Sequence, residues 1–432
     1  MNNKPHVLII GHNVFDHRTA LGKTLIGFFA GWDKNCLAEL FFHSEVPTCK
    51  VCINYFRVTD SDVLHNVFAK RKSDGTIFFE TDIDESRTSP RTDSGIKRRI
   101  YSFGRKRTPF IYLARNFIWK KSHWFSSKLK TWVSNFSPDI IFFAAGDYAF
   151  AYDITYTISK EFNIPVLIYC SDDYFLNKLN SYSPLGAIAY KSLMKSVNRC
   201  ASQASAMITI CDKMADAYKD LFSLPIFPIY TAYSDGVYSN IQKCKTIVYL
   251  GNLGYDRYES LIDVGKALER INKETGQKYV LEVYSSENRE KILKKISEQG
   301  CIVFRGYINE KEVKRVISSS LLVLHTESFK EKNIRKVRYS ISTKIADLLS
   351  SGTCIFAYGP LGIASIDYLK NTHSALIATN FEELETCLKQ AILDSELRKS
   401  VLINAKIVSS KNHNPSIVSE KIKNIVENIK AL

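Results

Sequence analysis

Along the chain, short apolar runs alternate with longer stretches in which apolar residues recur every three or four positions. The first pattern predicts buried strands and the second amphipathic helices. In the first half the strand runs are His6–Ile10, Leu37–Phe42, Asp139–Ala144, Pro165–Cys170 and Ala206–Ile210. Helical periodicity covers Gly22–Gly31, Phe150–Phe162 and Asp212–Leu224. The alternation restarts with strands at Thr246–Leu250, Tyr279–Tyr284, Cys301–Phe304, Leu321–His325, Thr353–Ala357 and Ala375–Ala378. Its helices read Arg257–Lys273, Asn288–Glu298, Asn309–Ser318, Lys344–Ser350 and Phe381–Leu393, with a last one over Pro415–Lys430. Strands followed by helices at this spacing predict parallel, doubly wound sheets, and two sets in tandem predict two Rossmann-like domains. The boundaries read 1–235, 236–412 and a terminal helix over 413–432 that packs back across the junction. In such sheets ligands bind beyond the carboxyl ends of the strands, so a cleft between the domains is the expected site.

Composition narrows the class. At 432 residues, 45% hydrophobic and 24% charged, the chain suits two or three folded domains and excludes wholesale disorder. No window approaches a membrane-spanning run and no export signal is evident, so a cytoplasmic protein with reduced cysteines is expected. Cys49 and Cys52 form one CxxC near His43, without the second ligand pair of a structural zinc site.

Several motifs fail on inspection. Ala20-Leu21-Gly22-Lys23-Thr24 lacks the upstream glycine of a phosphate-binding P-loop, where His17 stands. Gly251-Asn252-Leu253-Gly254 places leucine where a dinucleotide fingerprint needs glycine. Asp60-Ser61-Asp62 and Asp82-Ile83-Asp84 are Asp-x-Asp pairs able to hold a cation against a diphosphate, although neither clearly ends a strand.

One constellation is more coherent. The buried run Leu321–Leu324 passes through His325 and Thr326 into Glu327-Ser328-Phe329. A basic stretch, Lys330–Ile341, leads to Ser342-Thr343-Lys344-Ile345-Ala346-Asp347 and then Gly352, before another apolar strand. Ser342 or Thr343 is placed to cap a helix starting at Lys344, whose amino end and Lys344 charge suit a phosphate, while Asp347 suits ribose hydroxyls. The alternative is an ordinary capped helix packed on its sheet. In the first half Asp147 follows one strand, and Asp172 and Asp173 follow the next, where they bind acceptor or donor hydroxyls or else cap helices. His325 reads either as a cleft residue or as a structural histidine.

These residues resemble the retaining glycosyltransferases of family four, whose GT-B fold has two facing Rossmann domains. Glu327-Ser328-Phe329 looks like the family's Glu-Gly-Phe loop, and Asp347, five residues before Gly352, looks like its second acidic position. The twenty residues from Glu327 to Asp347 exceed the family's spacing, so Lys330–Ile341 is an expansion. The Ser342–Asp347 run is similar to a subset of bacterial polysaccharide-forming transferases. The resemblance implies that Asn252 and Gly254 form the glycine loop after the first strand of the second domain, with Arg257 meeting the donor diphosphate. It implies further that Tyr307, after Arg305-Gly306, packs on the nucleobase, and that Gly22 matches the glycine-rich turn under the phosphates. The implied donor set is Gly22, Asn252, Gly254, Tyr307, Glu327, Ser342, Thr343 and Asp347. Arg257, Lys344 and Asp147 stand as catalytic, and Asp172 with Asp173 as acceptor-binding.

The implied enzyme is a hexosyl- or N-acetylhexosaminyltransferase using a UDP- or GDP-sugar as co-substrate, with no tightly bound cofactor and no metal. Its acceptor is a cell-surface glycan or a lipid-linked oligosaccharide. Alternatives are a nucleotide-sugar epimerase or inverting transferase of the same fold, or a degenerate non-catalytic transferase subunit. A homo-oligomer is compatible with any of them.

Net charge, +15 over the whole chain, concentrates in one place. Between Arg87 and Lys130, thirteen lysines and arginines face Asp93 alone, interleaved with Tyr101, Phe103, Phe110, Tyr112, Phe117, Trp119, Trp124 and Phe125. A basic, aromatic face suits an anionic bilayer, placing the enzyme at the inner face of the cell membrane. The alternative is a solvated loop with a buried aromatic helix. No nucleic-acid recognition motif accompanies the charge.

Overall fold

The structure is a computed structural model that describes residues 4–16, 19–68, 73–85, 108–176, 183–233 and 244–431. The chain divides into two compact units, Met1–Thr231 with Pro415–Leu432, and Ala232–Asn414.

Among the described residues the first unit holds eight strands: β1 (Val7–Gly11), β2 (Leu37–Phe41), β3 (Tyr55–Arg57), β4 (Thr76–Phe78), β5 (Ile140–Ala145), β6 (Val166–Cys170), β7 (Ala204–Thr209) and β8 (Ile226–Pro228). They form one sheet in the order β4-β3-β2-β1-β5-β6-β7-β8, parallel except for the antiparallel β3–β4 pair. Val7 to Ile10 and Ile140 to Phe143 are fully buried, as continuous apolar runs must be when both sheet faces are covered. The runs visible in the sequence are these central strands. β3, β4 and β8 escape the pattern because each is only three residues long, too short to show a period.

Among the described residues the second unit holds six strands: β9 (Thr246–Leu250), β10 (Val280–Tyr284), β11 (Ile302–Gly306), β12 (Leu322–Thr326), β13 (Cys354–Tyr358) and β14 (Leu376–Ala378). Their order, β11-β10-β9-β12-β13-β14, is parallel throughout, with β9 and β12 at the centre. Ile247, Leu281, Leu322, Leu324 and Phe356 meet Leu261, Leu268, Ile271 and Leu388 from the covering helices in one continuous core. Helices Lys344–Ser350 and Phe381–Leu393 start and stop as the periodicity predicts.

The terminal helix Pro415–Lys430 belongs to the first unit, although the chain reaches it only after completing the second. Val418, Ile422, Val426 and Ile429 form its buried stripe. Ser419 Oγ accepts the Trp32 indole N–H at 3.0 Å and donates to the Ala30 carbonyl at 2.7 Å. Lys430 pairs with Asp139 at 2.9 Å, whose carboxylate also accepts the His6 amide just before β1. The first unit therefore ends at Thr231 rather than 235, and resumes at Pro415 rather than 413.

Beyond β1, the loop through Asp16 is fixed from beneath by Glu39, a fully buried carboxyl on β2 that accepts the Phe15 amide at 3.1 Å. Burial pushes its pKa well up, against the lowering effect of the Phe15 amide. The helix Ala20–Phe28 is capped by Thr19, whose Oγ accepts the Gly22 amide at 3.0 Å. Gly22 lies so close to this loop that a Cβ there would stand 2.1 Å from the Asp16 carbonyl oxygen. Backbone cannot swing aside as a side chain can. Gly22→Ala should therefore destabilise the first unit by about 1–3 kcal/mol, the usual range for overpacking, seen as a lowered melting temperature. An unchanged melting temperature would refute the contact.

Candidate functional site

In the second unit, β9 ends at Leu250 and the chain turns through Gly251–Asp256 into the helix Arg257–Thr275. Asn252 shapes this turn: its carbonyl accepts the Tyr249 hydroxyl at 2.8 Å and its side chain accepts the Gly254 amide. Tyr255 and Asp256 then adopt φ of +56° and +57°, reversing the chain so that Arg257 opens the helix. At Gly251 a Cβ would come within 2.7 Å of the Tyr249 hydroxyl and 3.2 Å of Lys344 Nζ, so a side chain there would have to displace both.

Two cations meet at this turn. Lys344, first residue of its helix, reaches across to donate to the Leu250 carbonyl at 3.0 Å. Arg257 grips Glu327, the residue following β12, with Nε to Oε2 at 2.9 Å and Nη2 to Oε1 at 3.2 Å. Glu327 is only 3% exposed. Its backbone is pinned as well: its amide donates to the Tyr358 carbonyl at 3.0 Å, and its carbonyl accepts Ser260 Oγ at 2.8 Å. His325, one pleat earlier on the same face, is 7% exposed, and its Nε2 stands 3.7 Å from Glu327 Oε1 without a hydrogen-bond partner.

Burial and charge set the protonation states. Desolvation, then the nearby charges of Arg257 and Lys344, pushes His325 down to about 3, so it is neutral at physiological pH. Desolvation raises Glu327 above the usual carboxylate value, against the pull of Arg257. Lys344 touches solvent, yet protein crowds it closely. That enclosure lowers its pKa, the Arg257 charge adds to the effect, and Asp347 opposes it.

The structure thus gathers Asn252, Gly254, Arg257, Glu327 and Lys344 at the carboxyl ends of β9 and β12, with Asp347 in the first turn of the Lys344 helix. Ser342 and Thr343 precede that helix, but neither caps it as expected. Thr343 has helical backbone angles and no side-chain cap bond, so its hydroxyl cannot turn back onto the first amides. Tyr307 follows the edge strand β11, two strands from β9, with its ring 78% exposed. The sequence gives no prominence to Tyr249 or Ser260. The available signals are a tyrosine in a buried strand immediately before a glycine turn, and a small polar residue on the first turn of the next helix.

In the first unit Asp147 follows β5 and accepts the Tyr112 hydroxyl at 2.6 Å. It is not a helix cap, because the next helix starts from Tyr148 without a side-chain cap. Asp173 is committed to the fold: one carboxylate oxygen accepts the amides of Phe175 and Leu176 and the Tyr218 hydroxyl. Asp172 is exposed and accepts the Asp173 amide at 2.9 Å. Gly22 serves the packing described above.

Other expectations change. Residues 87–107 of the basic segment lie outside the described residues. In the remainder Arg115 points inward, pairs with Asp60 at 3.0 Å and lies over the rings of Tyr148 and Phe150. Trp119 is buried, stacks on Phe150 at 4.4 Å and donates its indole N–H to Asp60 at 2.7 Å. Trp124 is buried too. These three residues build the core of the unit and are unavailable to a bilayer. Lys121 and Lys130 both pair with Glu161. The Asp60/Asp62 pair is likewise consumed, since Asp62 bonds Thr59 and Ser73 while Asp60 holds Arg115 and Trp119. Cys52 bonds backbone carbonyls at Leu37 and Asn54, and both CxxC thiols are buried. No described helix is long and apolar enough to cross a membrane.

No protein-family model and no curated protein sequence matches the chain. Solved structures do. Anabaena HepE, crystallised with UDP and glucose, matches with a TM-score of 0.60 and 11% identity over 99% of this chain and 100% of that one. An α,α-trehalose-phosphate synthase (UDP-forming) from Burkholderia xenovorans matches with a TM-score of 0.60 and 10% identity, over 98% and 100%. A sucrose-phosphate synthase from Thermosynechococcus elongatus gives 0.58 and 12%, over 99% and 100%. At such identities the likeness shows the fold: two α/β units with parallel-dominated sheets, as in GT-B glycosyltransferases.

The buried neutral His325 carries a pH signature. Its folded pKa lies below the ordinary value near 6.5, so unfolding takes up a proton between those limits and stability rises with pH there. The contribution is complete above about pH 6.5 and is lost on acidification toward 3. Denaturant titrations from pH 7 to 4 should show wild type losing stability faster than His325→Gln, by at most about 1.4 kcal/mol per pH unit. Parallel curves would contradict a buried neutral imidazole.

Proposed function

We propose that this protein is a glycosyltransferase that moves a sugar from a UDP- or GDP-sugar to a cell-surface glycan or lipid-linked acceptor, with retention at the anomeric carbon. The observation that carries the reading is the convergence of Arg257 and Lys344 on the glycine turn after β9. The fold it shares with structures solved with UDP and glucose supports a nucleotide-sugar donor.

The costly event in such a transfer is departure of the nucleoside diphosphate, because negative charge builds on its oxygens as the glycosidic bond breaks. Groups fixed in place beforehand stabilise that charge without reorganising at the moment of reaction. Arg257 is fixed by Glu327, and Lys344 by the Leu250 carbonyl. In this reading the two cations meet the diphosphate with no metal ion. Asp347 and Tyr307 bind the nucleoside and sugar, while Asp147 and Asp172 bind acceptor hydroxyls.

Arg257→Ala and Lys344→Ala should each lower transfer from the cognate nucleotide sugar by about a hundredfold or more, with circular dichroism unchanged. A thermal-shift panel of UDP- and GDP-sugars identifies the donor first. Full activity in both variants would sink the assignment, and NMR of the product anomer decides between retention and inversion.

We also propose that the basic, aromatic segment over 87–130 docks on an anionic bilayer. Support comes from Phe110 and Phe117, each 63% exposed, and from Lys120, whose Nζ lies 4.2 Å from the centre of the Phe117 ring. Exposed rings beside lysines suit the headgroup boundary, where each cation contributes about 1 kcal/mol. Sedimentation should show binding to phosphatidylserine vesicles that weakens with salt; equal binding to neutral vesicles would contradict the electrostatic part.

A further inference from the structure

We infer that Glu327 is a positioning residue for Arg257, acting on the donor's diphosphate through the guanidinium, and does not itself touch the donor sugar. The inference rests on the nucleotide-sugar reading above and goes beyond it by assigning this carboxylate a different task from the one its resemblance implies.

An acidic side chain that reads sugar hydroxyls must present an oxygen to the ligand. Glu327 presents none: both oxygens bond Arg257, and the residue is 3% exposed. The bond is bidentate and occupies the Nε edge of the guanidinium, leaving the other edge of the fork for a second anion. A phosphate approaching Arg257 would therefore meet an arginine whose rotation is already arrested.

The anchor is rigid because every handle on it is held. The Glu327 amide and carbonyl are bonded to Tyr358 and Ser260. On the neighbouring strand's exit, a Cβ at Gly359 would stand 3.1 Å from the Glu327 Cβ, so the carboxylate stem is seated against backbone. His325 completes the enclosure without competing, since its Nε2 stays 3.7 Å from Oε1, too far for a hydrogen bond. Among the described residues the carboxylate's hydrogen-bond donors all belong to Arg257.

The two roles separate in binding measurements. Isothermal titration of UDP, GDP and the cognate nucleotide sugar is run on wild type, Glu327→Gln, Arg257→Ala and the double variant. If Glu327 positions Arg257, Glu327→Gln weakens the bare nucleoside diphosphate by about tenfold and the nucleotide sugar by the same factor. In the Arg257→Ala background, Glu327→Gln then produces no further loss, a non-additivity that general damage to the fold would not give. Unchanged or tighter binding of the bare diphosphate, with loss confined to the nucleotide sugar, would overturn the inference in favour of direct sugar contact. Additive losses in the double variant would also overturn it. Should Glu327→Gln fail to fold, Glu327→Asp keeps the charge, shortens the reach and is expected to weaken the bare diphosphate severalfold while its circular dichroism spectrum stays that of the wild type. Wild type that binds neither UDP nor GDP nor their sugars defeats the functional reading itself. Wild-type binding with an indifferent Glu327→Gln defeats only the positioning role.

Discussion

A carboxylate and a guanidinium taken out of water together must satisfy one another, because either left alone would carry a penalty of several kcal/mol. Much of the second unit's organisation around its two central strands serves this requirement. β12 must end where β9 ends, so that Glu327 and the start of the Arg257 helix meet across the same edge. The turn between must reverse within a few residues, which it does through two consecutive left-handed residues and a glycine that admits no side chain. Ser260 must lie on the first helical turn to take up the Glu327 carbonyl. The pair therefore ties strand, turn and helix into one rigid element, and Lys344 is added to it from the far side through Leu250.

The same reasoning explains the balance of charge at the site. Arg257 and Lys344 close together repel, which is one reason Lys344 has a lowered pKa. Glu327 offsets the charge of Arg257, with which it pairs, and His325 stays neutral because burial removes its water and Arg257 and Lys344 repel a third cation. What remains is a locus where two cations are held at fixed geometry, suited to a small polyanion.

How much of this could be read from the sequence follows from the physics of each feature. Strands such as Val7–Ile10 and Leu322–Leu324 were legible because burial on both faces demands an unbroken apolar run. Short strands such as Tyr55–Arg57 and Thr76–Phe78 were not, since three residues leave no period to detect. Lys344 stands out locally as the first residue of a helix after a polar turn, whereas Arg257, Asn252 and Gly254 are picked out only by the resemblance. The partnership of Arg257 with Glu327 spans seventy residues and is a product of strand order, which no local pattern encodes. The basic stretch misled in the opposite direction. Arg115 and Trp119 look like surface residues in a run of charge, yet Asp60, far away in sequence, draws both inward.

The terminal helix has a consequence for how the molecule is made. Its stripe of Val418, Ile422, Val426 and Ile429 covers the first unit, and Lys430 reaches Asp139 beside the first strand. The residues that complete the covering of the amino-terminal sheet are thus made only after all of Ala232–Asn414 has been synthesised. During that interval the first unit has its strands but lacks one covering layer, with apolar surface beside Trp32 open to water. Contacts of such long sequence separation form late and slowly. The second unit, contiguous in sequence, therefore has all its residues synthesised before the first unit does, although the first begins earlier in the chain.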